Sequence, residues 1–458
     1  MTRRPPLRGD ELAEIVVPPP GPRSRAAGKR LRRAEGAAIW GSGDPPIVWA
    51  RARGSVVEDL DGNRYVDLTS GFGAALLGHA APDVARAVAA QARRMAQGLG
   101  DLHPHASREK LVRTLARLGG ALSRVLLAST GSEAVELALK TAALRTGRRR
   151  VVAFEGGYHG QSGAALEVTH FPASPPLTLP GGPPRAIHIP FPSTGRCGVG
   201  KECLEGSCDL TCFEEAWERV ERECDGPDPP GAVIVEPIQG RAGVIVPPPA
   251  FLPRLCVRAR ERGMLIIYDE ILTGAGRTGP FWAWERCGPE AEPDLLTAGK
   301  GIGGGVAIAA LLGRPDVMEV WGAHVSGAGE APYASTYYAH PLACAGALAA
   351  LRILTGASPR SRAAASFAAD LGGVVRESGS AATLRGIGSL AGVAFKDGRE
   401  EIDSGLRRAG RAVAWLREQG ILVLPSGLGA DVLTMLPAGS LTDAQRALAF
   451  DRLRSALA

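Results

Sequence analysis

The sequence predicts an α/β fold with a largely parallel sheet and helices on both of its faces. Three observations carry that expectation. Apolar runs of strand length alternate with amphipathic stretches of helical length through the middle of the chain. The runs "RVLLAST", "RVVAFEG", "GAVIVEP" and "MLIIYDE" are apolar along most of their length, as strands buried on both faces require. With 458 residues and 45% hydrophobic content, the chain can fill the cores of two or three structural units.

The elements follow in order. The first 33 residues are rich in proline and arginine and hold much of the net charge of +6. They lack the apolar core of a signal peptide and carry Asp10, Glu11 and Glu14, so residues 1–35 read as a partly disordered arm. "IVWARARGSVVEDLDGNRYVDLTSGFG" then reads as short strands turning at Asp61 and Gly62. "RVLLAST" runs into the helix "GSEAVELALKTAALRTG", and the strand "RVVAFEG" follows. "GAVIVEP", the helix "FLPRLCVRARERG" and "MLIIYDE" repeat the unit, which is a βαβ rhythm. After about residue 345 come a helix, short strands and the final helix "DAQRALAFDRLRSALA". The expected division is an arm (1–35), an N-terminal segment of a small domain (36–92), a large domain (93–340) and the rest of the small domain (341–458).

No apolar run approaches membrane-spanning length, and "LACAGALAAL" (342–351) and "GVAIAALLG" (305–313) are too short and suit buried core. Aromatic residues are sparse at 5%, and "RRR" (148–150) follows a helix, where cations complement the dipole. A cytoplasmic protein without nucleic-acid or membrane partners is expected.

Ligands of open parallel sheets collect at the carboxyl ends of the strands. "RVLLAST" ends at Thr130, Gly131 and Ser132, whose amides at a helix start suit a phosphate. "MLIIYDE" ends at Asp269, a carboxylate that burial makes costly unless a cation pairs with it. "DLLTAGKGIGGG" brings Lys300 into an apolar, glycine-rich stretch of a chain that otherwise prefers arginine. An amine can lose its proton and attack a carbonyl, which a guanidinium cannot do. A phosphate cradle, a buried acid and a nucleophilic amine are the requirements of pyridoxal 5'-phosphate: the lysine bonds to its aldehyde and the acid keeps its ring nitrogen protonated. The competing dinucleotide pattern in "GKGIGG" needs a helix opening at its end, and here the apolar strand "VAIAALLG" follows.

Several motifs together resemble the class III (ornithine/4-aminobutyrate-type, or ω-) aminotransferases of fold type I. They are "DLDGNRYVDLTSGFGAALLGH", "STGSEAVELALK", "GGYHG", "VEPIQG", "YDEILTGAGRTG", "TAGKGIGGG" and "STYYAHPLACAGAL", in the family's order. The resemblance implies a large domain on a mostly parallel seven-stranded sheet and a smaller α/β domain formed by both chain ends. It implies that Lys300 bonds to the cofactor and moves the proton, and that Asp269 pairs with the ring nitrogen. Gly131 and Ser132 would bind the phosphate, while Tyr158, with His159 beside it, and Ile271 would cover the two ring faces. Glu236 would order the residues around Asp269. Thr336 would reach the phosphate of a neighbouring subunit, which makes a homodimer, or a tetramer built from it, necessary.

Departures from the family pattern bear on the substrate. Leu272 stands where a glutamine often bonds the cofactor's phenolic oxygen. "EPIQGR" places Arg241 where relatives acting on carboxylates have glutamate, and "VLTMLP" places Thr434 where they have the substrate arginine. Arg241 is therefore the candidate substrate residue, and a guanidinium there could take a substrate anion in a bidentate contact. "RCGVGKECLEGSCDLTC" clusters Cys197, Cys203, Cys208 and Cys212 in an insertion at about 195–215, with spacing unlike structural zinc sites, so no metal is expected. The expected activity is ping-pong transfer of an amino group from an amine or amino acid to a keto acid or aldehyde. Racemisation or decarboxylation on the same scaffold stays open at this point, as does, more remotely, a non-catalytic interaction protein.

Overall fold

The βαβ rhythm closes into a seven-stranded sheet in the computed structural model, which describes residues 5–36, 46–171, 185–193, 208–325, 331–356, 366–395 and 402–458. The chain divides into two units, Met1–Ala81 with Pro359–Ala458, and Pro82–Ser358.

In the first unit, β1 (Trp49–Arg53), β2 (Val56–Asp59) and β3 (Arg64–Asp67) form an antiparallel meander. The expected turn between β2 and β3 is there. Asp59 Oδ1 takes the amides of Asp61, Gly62 and Asn63, and Gly62 sits at φ 96°, a conformation that favours glycine. The arm differs from expectation, since from residue 5 its described part is folded. Asn63 Oδ1 accepts the amides of Val16 and Val17, and Asp61 caps the helix Pro22–Ala34 through the amides of Arg23 and Ser24.

The second unit holds β4 (Arg124–Ala128), β5 (Val151–Phe154), β6 (Ala186–Ile189), β7 (Ala232–Val235), β8 (Leu265–Asp269), β9 (Leu295–Ala298) and β10 (Ala309–Gly313). Their order is β4-β10-β9-β8-β7-β5-β6. β10 runs antiparallel to both of its neighbours, and the other pairings are parallel. Period-two geometry divides β8 between two cores. Ile267 packs with Val135, Leu139 and Leu311 on one face, and Ile266 and Tyr268 pack with Trp217, Phe251 and Leu255 on the other. Both faces are dry, which explains the unalternating apolar runs. After β9 the chain makes a tight 3-10 turn, Lys300–Gly303, and reverses into β10. Gly304 and Gly305 lie at φ 60° and 98°, and a Cβ on Gly304 would stand 2.9 Å from Ala350 Cβ. The glycine run is a reversal, so it opens no dinucleotide-type helix.

The unit boundaries also differ from those expected. The helices Pro82–Arg94 and Pro341–Leu354, placed at the edges of the small domain by sequence, pack against each other within the second unit. That pairing joins segments far apart in the chain, so no local pattern announces it. The run 342–351 lies in the largely buried helix Pro341–Leu354, and no helix among the described residues is long and apolar enough to cross a membrane.

Back in the first unit, β11 (Thr383–Ile387), β12 (Leu390–Ala394), β14 (Leu424–Ser426) and β15 (Val432–Met435) form a second antiparallel sheet, while β13 (Ile421–Leu422) joins β3 in parallel. The helices Phe367–Glu377, Ile402–Glu418 and Asp443–Leu457 supply Leu371, Leu416 and Leu453 to the core beneath.

Candidate active site

Five strand ends of the second unit carry the chemistry, as the carboxyl-end rule requires. β8 ends on Asp269, β9 leads into Lys300, and β4 leads into the helix Gly131–Thr146. β5 leads to Tyr158 and His159, and β7 leads to Glu236 and Arg241.

Asp269 is buried, 4% exposed, and its carboxylate is held from three directions. Oδ1 accepts from the Ile271 amide at 3.1 Å and the Thr297 hydroxyl at 3.2 Å; Oδ2 lies 2.8 Å from His159 Nδ1. A carboxylate can only accept, so Nδ1 of this buried ring carries the hydrogen. His159 Nε2 has no partner among the described residues, and Gly157 makes room for the ring, since a Cβ there would lie 3.0 Å from Nε2. These contacts fix the plane and position of the Asp269 carboxylate.

Glu236 ties two loops together. Its Oε1 accepts the Tyr158 amide and its Oε2 the Gly240 amide, both at 3.0 Å. Burial, with the nearby Asp269 charge, pushes its carboxyl up, although His159 and these two amides pull the other way. Leu272 fills the space beside Gly240, where a Cβ would meet Leu272 Cδ2 at 2.1 Å.

Lys300 adopts φ 42°, in the left-handed region that costs a non-glycine residue on the order of 1 kcal/mol. Backbone strain at a lysine flanked by glycines marks a position held for its side chain. Lys300 is partly buried, and that burial pushes its amine pKa down; Arg277 and Arg241 push the same way, against Asp269 and Glu236. The amine is thus closer to its neutral, nucleophilic form than a surface lysine.

Thr130 caps the helix Gly131–Thr146 through the Glu133 amide, and the amides of Gly131 and Ser132 have no acceptor among the described residues. They are free for an anion. Gly160, at φ 131°, brings the Tyr158 loop against this helix start, since a Cβ there would meet Ser132 Oγ at 2.3 Å. The Ile271 side chain spans the interval between this helix start and the lysine turn. A Cβ on Gly131 would lie 2.9 Å from its Cδ1, and one on Gly299 would lie 3.2 Å from its Cγ2. Free amides, a fixed carboxylate, an apolar side chain and an activated amine fit pyridoxal phosphate from end to end.

Arg241 lies over two rings, its Cζ 4.8 Å from the Tyr158 centroid and 4.7 Å from that of Phe171. No carboxylate pairs with it among the described residues. Thr336 stands exposed, its carbonyl accepting from Gln97 Nε2, and it bonds none of the residues above. Thr434 belongs to the first unit, where its hydroxyl meets that of Ser426. Cys197 and Cys203 lie outside the described residues. Cys208 precedes the helix Thr211–Cys224 and Cys212 lies in its first turn, and no group of three or more His, Cys, Asp or Glu placed to hold a metal occurs among the described residues. Sequence reasoning missed Phe171 and Thr297. Thr297 was visible inside "TAGK", next to the lysine, whereas Phe171 had no local signal.

The family profile described as aminotransferase class-III matches residues 40–457. A 4-aminobutyrate aminotransferase of Mycobacterium tuberculosis is 32% identical over 92% of this chain and 93% of its own length. A 2-aminoadipate transaminase of Pseudomonas putida is 31% identical over 85% of this chain and 91% of its own. Among solved structures, an amine transaminase from an uncultivated Pseudomonas species, in its cofactor-bound form, superposes with a TM-score of 0.81. It is 27% identical and covers 92% of this chain and 97% of its own. An (S)-enantioselective ω-transaminase from Thermomicrobium roseum gives the same TM-score of 0.81 and 27% identity, over 94% and 98%.

Proposed function

The chain belongs to the class III aminotransferase family and is a pyridoxal-phosphate-dependent aminotransferase, and we propose that its substrates are anionic and are read by Arg241. The observation that carries this reading is the guanidinium itself, held on two rings, without a carboxylate partner among the described residues, and close enough to influence Lys300. Relatives named for 4-aminobutyrate and 2-aminoadipate, both carboxylates, support the same direction.

When bound, the cofactor supplies the electron sink and carries the amino group between donor and acceptor. The chain does the rest. The Gly131 and Ser132 amides hold the phosphate at a helix start. Asp269, aligned by His159, Thr297 and the Ile271 amide, presents a fixed negative charge to the protonated ring nitrogen. Tyr158 and Ile271 cover the ring and exclude water. Lys300 Nζ, its pKa lowered, takes a proton from the substrate carbon and returns it on the far side of the transfer. Arg241 grips the substrate carboxylate, so the transferred amino group is placed by its distance from that anion. The two halves of the reaction share one site, which predicts ping-pong kinetics.

Thr336 completes the phosphate site of a partner in this reading, and the enzyme is a cytoplasmic homodimer. Support comes from the surface around Thr336, where Leu99, Leu102 and Tyr337 are 59%, 72% and 61% exposed and Gln97 bonds the Thr336 carbonyl. Sedimentation should give the dimer mass, and Leu102→Asp should shift it to monomer with loss of cofactor; a fully active monomer contradicts it.

The test of substrate class compares 5-aminovalerate with uncharged butylamine as donors, with a keto acid as acceptor. Losing a bidentate charged contact costs about 2–4 kcal/mol, so Arg241→Ala should lower kcat/KM for the acid roughly 30- to 1000-fold more than for the amine. Equal losses would leave a pocket for plain amines.

A further inference from the structure

Phe171 is one of the two rings beside Arg241, and its segment is bonded closely to the loops around it. The Thr169 hydroxyl receives the His159 amide at 2.9 Å and has the Gly160 and Ala165 carbonyls, each at 2.9 Å, as acceptors for its single hydrogen. The His170 amide donates to the Gly157 carbonyl at 2.9 Å. Segment 169–171 is therefore stitched to the loop carrying Tyr158, residue against residue. Glu236 grips that loop at the Tyr158 amide and grips the chain just before Arg241 at the Gly240 amide. One buried carboxylate and one threonine thus lock three pieces of chain that bear Tyr158, Arg241 and Phe171.

The two rings stand nearly perpendicular, 86° apart with centroids at 6.4 Å. Arg241 Cζ is almost equidistant from both centroids, at 4.8 Å and 4.7 Å. The guanidinium sits in the corner they make. A planar guanidinium can lie flat on at most one of two perpendicular rings; its charge is attracted to both, and the N–H groups turned away from them are left for hydrogen bonds. Arg241 is exposed to solvent, and its N–H groups have no acceptor among the described residues. A long, freely rotating side chain would lose much rotamer freedom on gripping an anion. In the corner, that freedom is already restricted before the substrate arrives.

We propose that Phe171 is a positioning residue for substrate selection: together with Tyr158 it fixes Arg241 with N–H groups free, and so sets the preference for anionic over neutral substrates. This rests on the reading of Arg241 as the anion site. Phe171 touches neither the reacting atoms nor the amine; it acts through the guanidinium.

The experiment uses the holoenzyme and reads the ratio of kcat/KM for 5-aminovalerate over that for butylamine, in Phe171→Leu, Phe171→Tyr, Arg241→Ala and Arg241→Ala/Phe171→Leu. Leucine keeps the apolar bulk and removes the ring, and tyrosine keeps the ring. Melting temperature and visible absorbance check that each variant is folded and loaded. Phe171→Leu should lower the ratio roughly 2- to 5-fold, the span of one solvent-exposed cation–π contact, through the KM of the acid. Phe171→Tyr should restore it, and the double variant should match Arg241→Ala alone. An unchanged ratio in Phe171→Leu, with the ratio still lowered in Arg241→Ala, overturns the role of Phe171 and leaves Arg241 standing. An unchanged ratio in Arg241→Ala overturns both. A double variant well below Arg241→Ala would show Phe171 acting on substrate directly, which also overturns the positioning role.

Discussion

Replacing His159 with leucine removes the shortest of the bonds that hold Asp269, while keeping apolar volume in a fully buried position. The Oδ2 lone pair then loses its 2.8 Å donor inside a site where water has little access. Leaving a buried acceptor unsatisfied costs about 1–3 kcal/mol. Ile271 and Thr297 still hold Oδ1, so the carboxylate stays in place but can pivot. That loss falls on the step in which Asp269 must stabilise positive charge on the ring nitrogen. A cost of about 1–3 kcal/mol corresponds to roughly 5- to 150-fold in kcat at saturating donor. Cofactor affinity, measured by titrating the apoenzyme, should fall within the same range. His159→Asn sets a side-chain N–H near the place of Nδ1 and should recover most of the loss. If His159→Leu keeps wild-type kcat and cofactor affinity, the hydrogen bond does not position Asp269 and this part of the account fails.

Further predictions come from the same geometry. Lys300→Ala should abolish turnover and the visible absorbance of bound cofactor; in the apoenzyme Lys300→Gly should be more stable than Lys300→Ala by roughly 1 kcal/mol, because φ 42° suits glycine, and equal denaturation midpoints would argue against strain. Asp269→Asn should leave a folded protein with badly impaired turnover, and near-wild-type kcat would contradict its role. Burial raises the Glu270 carboxyl from the usual 4.5 to about 7, so it contributes stability that is complete below about pH 4.5 and is lost as pH rises through about 7; Glu270→Gln should flatten the stability profile in that window, and an unaltered slope would refute the cause. Cys203→Ser with Cys208→Ser should retain turnover, whereas near-stoichiometric zinc or iron lost on that change would establish a metal site.

Lys300 and Asp269 were legible in the sequence because each breaks a local pattern, a charged group written into a stretch that is otherwise apolar or glycine. The alternation of strand and helix was legible for the same reason, being a property of neighbours. What escaped depends on contacts between distant segments. Asp61 and Asn63 order the arm from 37 to 47 residues away, and nothing in "PPPGPRSRAAGKRLRRA" reveals those partners. The unit boundary near residue 82 follows from packing between the helices Pro82–Arg94 and Pro341–Leu354. Phe171 has meaning only through Arg241, and Arg241 itself was noticed because it departs from a family pattern. Glu236 was expected to order the surroundings of Asp269; the atoms it holds are the Tyr158 and Gly240 amides, so its reach extends to the substrate side.

The central claim is that this aminotransferase carries the amino group of an anionic donor to a separate acceptor, and a single half-reaction tests it most directly. Purified holoenzyme is mixed with excess 5-aminovalerate and no acceptor, and the visible cofactor absorbance and the product are followed together. The account predicts one equivalent of product per site, loss of the absorbance in one phase, and full recovery when a keto acid is added. Product that keeps forming without an acceptor, or cofactor that stays unchanged with the acid while converting readily with butylamine, would contradict it.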